Sequence, residues 1–361
     1  MERLIEFHHN LHQIPELGFC EYETKTYIIS VLSKLNCRIH EIGNCGLIAY
    51  FDFGKKNTIG FRCELDGLPI PESADNPFVS MHLGCMHACG HDAHMAILLT
   101  LAEFISENGA LYDVLLIFQS GEELRGGALE MVESGVIQSY HPFAIFGMHV
   151  WPGLPYGRLY SREGSILAGA DEIDIEIFGE SSHVANSCLK GNALLCASDF
   201  LVSSYDSFYS KDWVCGFGVL KSGSIRNASS EYSHLLGTLR YFDKKYENYG
   251  IESIEDFLSM MDCKWGTQSK ILVNACNTPV VNSKELYERV KCYVSVSKCD
   301  SYFQSEDFGA YSTICPTLFL LLGCGEKSPV LHSSSFWVED EILECGFNWY
   351  KQLISSSFMH F

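Results

Sequence analysis

The chain has 361 residues, 47% of them apolar, with a mean hydropathy of +0.04. This is enough material for about two domains with buried cores, and it excludes a disordered or fibrous chain. Lys and Arg total 25 against 45 Asp and Glu, a formal charge of -20, which argues against nucleic acid or an anionic membrane as partner.

No run of about 18 apolar residues occurs, and Met1 to Glu6 lacks a basic segment followed by an apolar one, so a cytoplasmic protein is expected. The 16 cysteines are scattered singly through apolar segments, as expected of reduced core residues rather than a disulfide framework. Pro15 and Gly18 break one helix before a helical pattern leads through Tyr27 into Val31 and Leu32. Thr58 to Leu65 reads as a strand stopped by Asp66-Gly67-Leu68-Pro69, which puts Asp66 at a strand's C-terminal end.

The segment Gly84 to His94 then packs two cysteines (Cys85, Cys89), three histidines (His87, His91, His94) and Asp92 into eleven residues. Thiolate and imidazole are the usual ligands of zinc and similar divalent ions. The segment alone admits three readings. It is a structural knuckle using Cys85, His87, Cys89 and His91, an open catalytic site that draws ligands from elsewhere, or a set of buried cysteines and helix-capping polar residues. Asp92 to Ile105, apolar nearly all round, marks a buried helix closed by Asn108-Gly109.

Three continuous apolar runs follow, Val114–Phe118, Phe143–Val150 and Thr317–Leu322, each the pattern of a strand covered on both faces. They end near Glu122-Glu123, at His149, and shortly before His332. In an open α/β sheet, ligands bind beyond the carboxyl ends of the strands, so Asp66, Cys89, His91, Glu122, Glu123, His149 and His332 are expected to converge. Adjacent buried glutamates are costly unless a partner satisfies them, and a divalent metal is an economical one. On an extended strand end the two would point in opposite directions, one towards metal and the other towards substrate as general base. From about residue 170 to 280 the texture changes to that of an inserted α+β domain. Ile173–Ile177 alternates as a half-exposed strand, Leu194–Phe208 is helical, and Leu235–Phe242 returns as a strand. The expected division is therefore 1–169 with 281–361, and 170–280.

The wording of Leu11-His12 with Pro15-Glu16, Asp66-Gly67-Leu68-Pro69, His87-Ala88-Cys89-Gly90-His91-Asp92-Ala93-His94, Gly121-Glu122-Glu123, Gly147-Met148-His149, Ser182-His183-Val184-Ala185 and Leu331-His332-Ser333 resembles the amidohydrolase branch of the aminoacylase/carboxypeptidase metallopeptidases. That branch includes hippurate hydrolases, auxin-conjugate amidohydrolases and N-acetyldiaminopimelate deacetylases. The resemblance covers nearly the whole chain and implies an α/β zinc-peptidase-like catalytic domain, a mixed sheet flanked by helices, with an inserted smaller α+β lid or dimerisation domain.

It further implies two divalent ions held by Cys89, His91, Glu123, His149 and His332, with Glu122 as general base for a metal-activated water. Zinc or manganese is expected, with cobalt or nickel also permitted. His183 would steady the oxyanion, in some relatives from a partner subunit, and Asn227 with Arg240 would hold the substrate's free carboxylate; a salt bridge within the lid is the competing role for Arg240. Asp66 and Asp92 would orient ligand histidines, and Cys85, His87 and His94 would be structural. Glu306 and Asp307 could equally be a charge pair at a helix start.

The expected substrate is an N-acyl amino acid and the expected assembly a homodimer or higher oligomer through the lid. The rival readings are a dipeptidase or carboxypeptidase on the same site and a non-catalytic scaffold with a structural zinc. Departures from the family pattern are Glu64 for a usual Asp, Ser120-Gly121 for a common Pro-Ala, Asn186-Ser187-Cys188 where a Pro-His pair often stands, and the wording Ile225 to Ser229.

Overall fold

A computed structural model describes residues 1–73, 76, 78–186 and 190–358, so Ser187 and Cys188 of the divergent lid segment lie outside the described residues. The chain divides into two units: residues 1–166, 280–300 and 307–361, and residues 167–279 with 301–306. The second excursion, 301–306, has no counterpart in the expected domain boundaries. Its strand Tyr302–Ser305 pairs in parallel with Leu167 and Ala168.

The first unit is built on a mixed sheet. Its strands β1 (Arg38–Ile42), β2 (Gly46–Phe51), β3 (Thr58–Glu64), β4 (Asp113–Gln119) and β5 (Pro142–Pro152) lie in the order β1-β2-β4-β3-β5. Thr317–Gly325, Leu159–Ser161 and Ser297–Lys298 complete the sheet. The pairs β3 with β4, β3 with β5, and β5 with Thr317–Gly325 are parallel. β2, β3 and β4 are buried along their whole length, which is why β2 and the middle of β4 run apolar without alternation and why the charges of β3 need buried partners.

Helices α1 (Glu2–His12), α2 (Tyr22–Leu32) and α3 (His91–Asn108) belong to this unit. α3, apolar all round, packs against α1 and the C-terminal helix Asp340–Ile354. Parallel strands send the carboxyl ends of β3, β4 and β5 to one edge; Asp66, Cys89, His91, Glu122, Glu123 and His332 follow one of those ends or the strand Thr317–Gly325, and His149 lies near the end of β5.

Beneath that edge lies a buried ionic cluster. Arg62, 1% exposed on β3, pairs with Glu64 and, at 2.7 Å, with Asp307; its Nε donates to Gln119 Oε1 at 2.8 Å. The Asp307 carboxylate also accepts from Gln119 Nε2 and, at 2.8 Å, from the Ala128 N–H. Asp307 opens a short 3-10 helix, as a charge at a helix start would, but its carboxylate answers a fully buried guanidinium. Removing one partner strands the other's charge in the core, so Asp307→Ala is expected to cost about 3–5 kcal/mol. Urea unfolding checks this as a lower midpoint at an unchanged slope.

The second unit's sheet has an antiparallel core of four strands in the order Gln268–Asn277, Gly164–Phe178, Tyr232–Tyr241, Trp213–Ser222. Helices Ala193–Ser204 and Lys244–Trp265 pack on it around Ile173, Ile175, Phe200, Leu235 and Ile254. No disulfide occurs among the described cysteines, and no described helix is long and apolar enough to cross a membrane.

Candidate metal centre

Gly90 enters α3 at φ +82°, and a Cβ there would meet Val150 Cγ2 at 2.4 Å. Only glycine serves at such a position. The backbone therefore comes down against the end of β5, which sets Cys89 and His91 beside His149. His149 Nε2 lies 3.4 Å from Cys89 Sγ, and its Nδ1–H donates to the Val150 carbonyl at 2.6 Å. His91 Nδ1–H donates to the Asp66 carbonyl at 2.8 Å and lies 3.3 Å from the Asp66 carboxylate. Both rings thus turn a bare Nε2 to one place, and that of His91 is buried without a hydrogen-bond partner.

Glu123 and His332 arrive from the other side. The Glu123 N–H donates to Asp66 Oδ2 at 2.9 Å, so Asp66 fixes His91 and Glu123 together. His332, at φ +63°, donates its N–H to the Ala88 carbonyl at 2.8 Å and sets Nε2 3.2 Å from Glu123 Oε1.

Two groups result, Cys89 with His91 and His149, and Cys89 with Glu123 and His332, each with its ligand atoms within 4.8 Å of one another. Cys89 is common to both. All five expected ligands are therefore brought together, in two sets that share Cys89 and that a third group, His91 with Glu122 and Glu123, links as well.

The electrostatics fit a cation. Burial, followed by the charges of Glu123 and Glu122, pushes the Cys89 thiol well above its ordinary value, so a thiolate there needs a positive partner. Burial, with His94 next, lowers His149 to about 3, leaving it the neutral imidazole that a metal requires. Burial opposes a charge on His91, but its Asp66 hydrogen bond and the nearby carboxylates outweigh that and carry it up to about 10. The positive charge that this pocket favours is the charge a divalent ion would supply.

The glutamate pair is placed differently from the sequence expectation. Glu122 and Glu123 lie in a turn beyond β4, entered through Ser120 and Gly121 at φ +68°, and not on an extended strand end. The two carboxylates do not point in opposite directions; both lie within 4.8 Å of His91's ring nitrogen. What separates them is company. Glu123 adjoins Cys89 and His332, whereas Glu122 Oε2 stands 3.9 Å from His91 Nε2.

The Ser120-Gly121 departure has a local partner. Buried Glu21 accepts from the Ser120 hydroxyl at 2.7 Å and the Gly121 N–H at 2.9 Å.

Other residues of the Cys/His segment take separate roles. His94 Nε2 accepts the Val150 N–H at 2.9 Å while its Nδ1–H donates to Glu64 Oε2 at 2.7 Å. With both nitrogens engaged, His94 supports the strand end that carries His149. The Glu64 side chain spans His94 and Arg62 together. Asp92 does not contact a ligand histidine as expected: its carboxylate lies 2.6 Å from His12 Nδ1 and 3.3 Å from His8 Nε2. That pairing had a signal in the sequence, since His8 and His12 are four apart on a helical face.

In the second unit, His183 bridges to Ala228, and the Val184 N–H donates to the Asn227 carbonyl at 3.0 Å, so His183 and Asn227 are neighbours. His183 is exposed, and its Nδ1 accepts the Ala185 N–H at 3.1 Å, which leaves Nε2–H free to donate. Arg240 is paired with Ala170 at the other end of the strand Tyr232–Tyr241. At about 3.3 Å per residue, roughly 26 Å of strand separates it from Tyr232, and Asn227 lies further out. One copy of this unit does not bring Asn227 and Arg240 to a common carboxylate. Arg240 forms no salt bridge among the described residues; its Nε donates to Thr238 Oγ1 at 3.1 Å.

This fold and the five converging side chains fit a dinuclear metallohydrolase. The chain belongs to peptidase family M20/M25/M40, whose model matches residues 60–356. It is 31% identical to the N-acetyldiaminopimelate deacetylase of Oceanobacillus iheyensis over 99% of this chain and 100% of that one. With the enzyme of the same name from Bacillus subtilis it shares 30% identity over 92% of this chain and 93% of that one. Among solved structures, the Bacillus subtilis YXEP protein, a dinuclear metal binding peptidase of the M20 family, superposes with a TM-score of 0.86 at 26% identity. That match covers 98% of this chain and 97% of the other.

Proposed function

We propose that this protein is a metal-dependent deacylase that splits the amide of an N-acyl amino acid into a carboxylic acid and a free amino acid, with an acetyl group as the first acyl candidate. The observation that supports this most directly is the pair of ligand groups sharing Cys89, with Glu122 beside them. Two divalent ions, zinc or manganese in our reading, would supply polarisation of the amide carbonyl and acidification of water. Glu122 takes the water's proton and returns it to the departing amine. Glu123, held by Asp66, stays fixed through the cycle. His183 donates from Nε2–H to the developing oxyanion. Arg240, free of acidic partners, receives the substrate's carboxylate as a planar fork.

Because Arg240 stands at the end of the strand Tyr232–Tyr241 away from the loop that carries Asn227, we infer that a site using both draws on two copies of the chain, Asn227 and His183 arriving from the partner's lid. The expected solution state is a dimer. Mixing Arg240→Ala chains with His183→Ala chains is expected to restore part of the activity that each variant lacks, through hybrid dimers with one intact site.

The defining experiment measures amine release from N-acetyl, N-benzoyl and peptide substrates by metal-stripped protein reloaded with zinc or manganese. Release from N-acetyl amino acids and their analogues supports the reading; turnover of peptides alone replaces it with a dipeptidase.

A further inference from the structure

The inner face of α1 carries a polar cluster that the dinuclear centre does not use. Its members run in alternation: His9, Asp340, His8, Asp92, His12, Glu72. His8 and His12 are 0% and 1% exposed and Asp92 2%, while Trp337 lies with its ring 4.8 Å from each of the two imidazoles. Burying so many ionisable groups is expensive unless each is matched.

The outer contacts fix which nitrogen of each ring faces inward. Asp340 takes the Nδ1 side of His8 at 3.1 Å, and Glu72 takes the Nε2 side of His12 at 2.8 Å. A carboxylate on one nitrogen of an imidazole directs the lone pair of the other, which is the usual support behind a metal-bound histidine. Here both inward nitrogens face the same carboxylate. His8 Nε2 and Asp92 Oδ1 are buried with no hydrogen-bond partner, and the three ligand atoms lie within 4.8 Å of one another. His12 Nδ1 lies 2.6 Å and His8 Nε2 3.3 Å from Asp92 Oδ2, so something positive, a proton on each ring or a shared cation in their place, joins both imidazoles to that carboxylate.

We propose that His8, His12 and Asp92 hold a third divalent cation of the zinc class, on the far side of the first turn of α3 from the dinuclear centre. Two imidazoles and one carboxylate form a three-ligand set that suits zinc with one position left over. The spacing of His8 and His12, four apart on α1, places both on one helical face. The supporting residues come from separate elements, Asp340 at the start of the C-terminal helix and Glu72 in the loop after β3, so the ion ties α1, α3 and the C-terminal helix together. Its role is structural, and it stands independently of the catalytic reading. Asp340, 28% exposed, marks the side open to entering metal.

The test counts ions by mass spectrometry on zinc-loaded protein washed with a weak chelator. Three per chain are expected, falling to one in Cys89→Ser, which disables the dinuclear pair. Cobalt loaded into Cys89→Ser is expected to give ligand-field bands without a sulfur-to-metal charge-transfer band. Adding His8→Gln removes that last ion, and Asp340→Asn, which keeps all three ligands, weakens its binding by about 10–100-fold. No bound ion in natively folded Cys89→Ser, or one that survives His8→Gln, overturns the site and leaves protons on both rings as what joins them to Asp92. If Cys89→Ser does not fold, the count in the unaltered protein decides: two ions overturn the proposal, and three falling to two in His8→Gln support it.

Discussion

Glu122→Gln is expected to lower kcat/KM by about 10²–10⁴-fold while leaving metal content unchanged, since a positioned general base contributes on that order. The substitution keeps the side chain's size and hydrogen-bonding reach but removes its ability to take a proton. Metal content separates this from a ligand effect. Glu122 Oε2 is 3.9 Å from His91 Nε2, too far to be its hydrogen-bond partner, and Glu122 belongs to neither group that contains Cys89. Glu123→Gln is the contrast. It weakens a carboxylate shared with Cys89 and His332, so the loss of activity is expected to come with loss of metal. Metal analysis beside steady-state kinetics distinguishes the two: equal ion content in Glu122→Gln and wild type is the expected outcome, and co-loss of ions would make Glu122 a ligand.

The catalytic sheet was legible in sequence because parallel strands buried on both faces announce themselves as unbroken apolar runs, and β4, β5 and the strand Thr317–Gly325 fall where those runs are. The convergence of the candidate ligands was legible because they lie at or after strand ends and carry a family's wording. The geometry around the glutamates was not, since Gly121's positive φ converts what reads as a strand end into a turn and changes which way the side chains face. Asp92 was misread for a related reason. Its neighbour in sequence is a ligand, but at the first turn of a helix adjacent residues point in different directions, and Asp92 faces α1. Asp307's partner, Arg62, lies 245 residues away and carries no local signal at all. In the second unit the pattern identified the strand that carries Arg240, while its distance from Asn227 depends on antiparallel register, which alternation alone does not set.

Cys89→Ser is the change expected to have the widest effect on metal, removing both ions of the dinuclear pair rather than one. A ligand on a single ion, such as His149, is expected to cost that ion first, whereas Cys89 is the member common to both groups. A serine hydroxyl does not replace the thiolate, because its proton is far harder to remove and it binds zinc more weakly as a neutral oxygen. The thiol itself is costly to ionise here: burial and the two glutamates hold its pKa well up. Metal binding must therefore release the Cys89 proton, and affinity for the pair falls as pH falls. The sign follows from competition, each ion displacing a proton that becomes easier to keep in acid. Parallel titrations at two pH values, with proton release followed in a weak buffer, check this. Proton release that is smaller in Cys89→Ser than in wild type, together with loss of two ions, is the expected result. Loss of one ion alone would show that the thiolate serves a single metal and that the pair is bridged through another group.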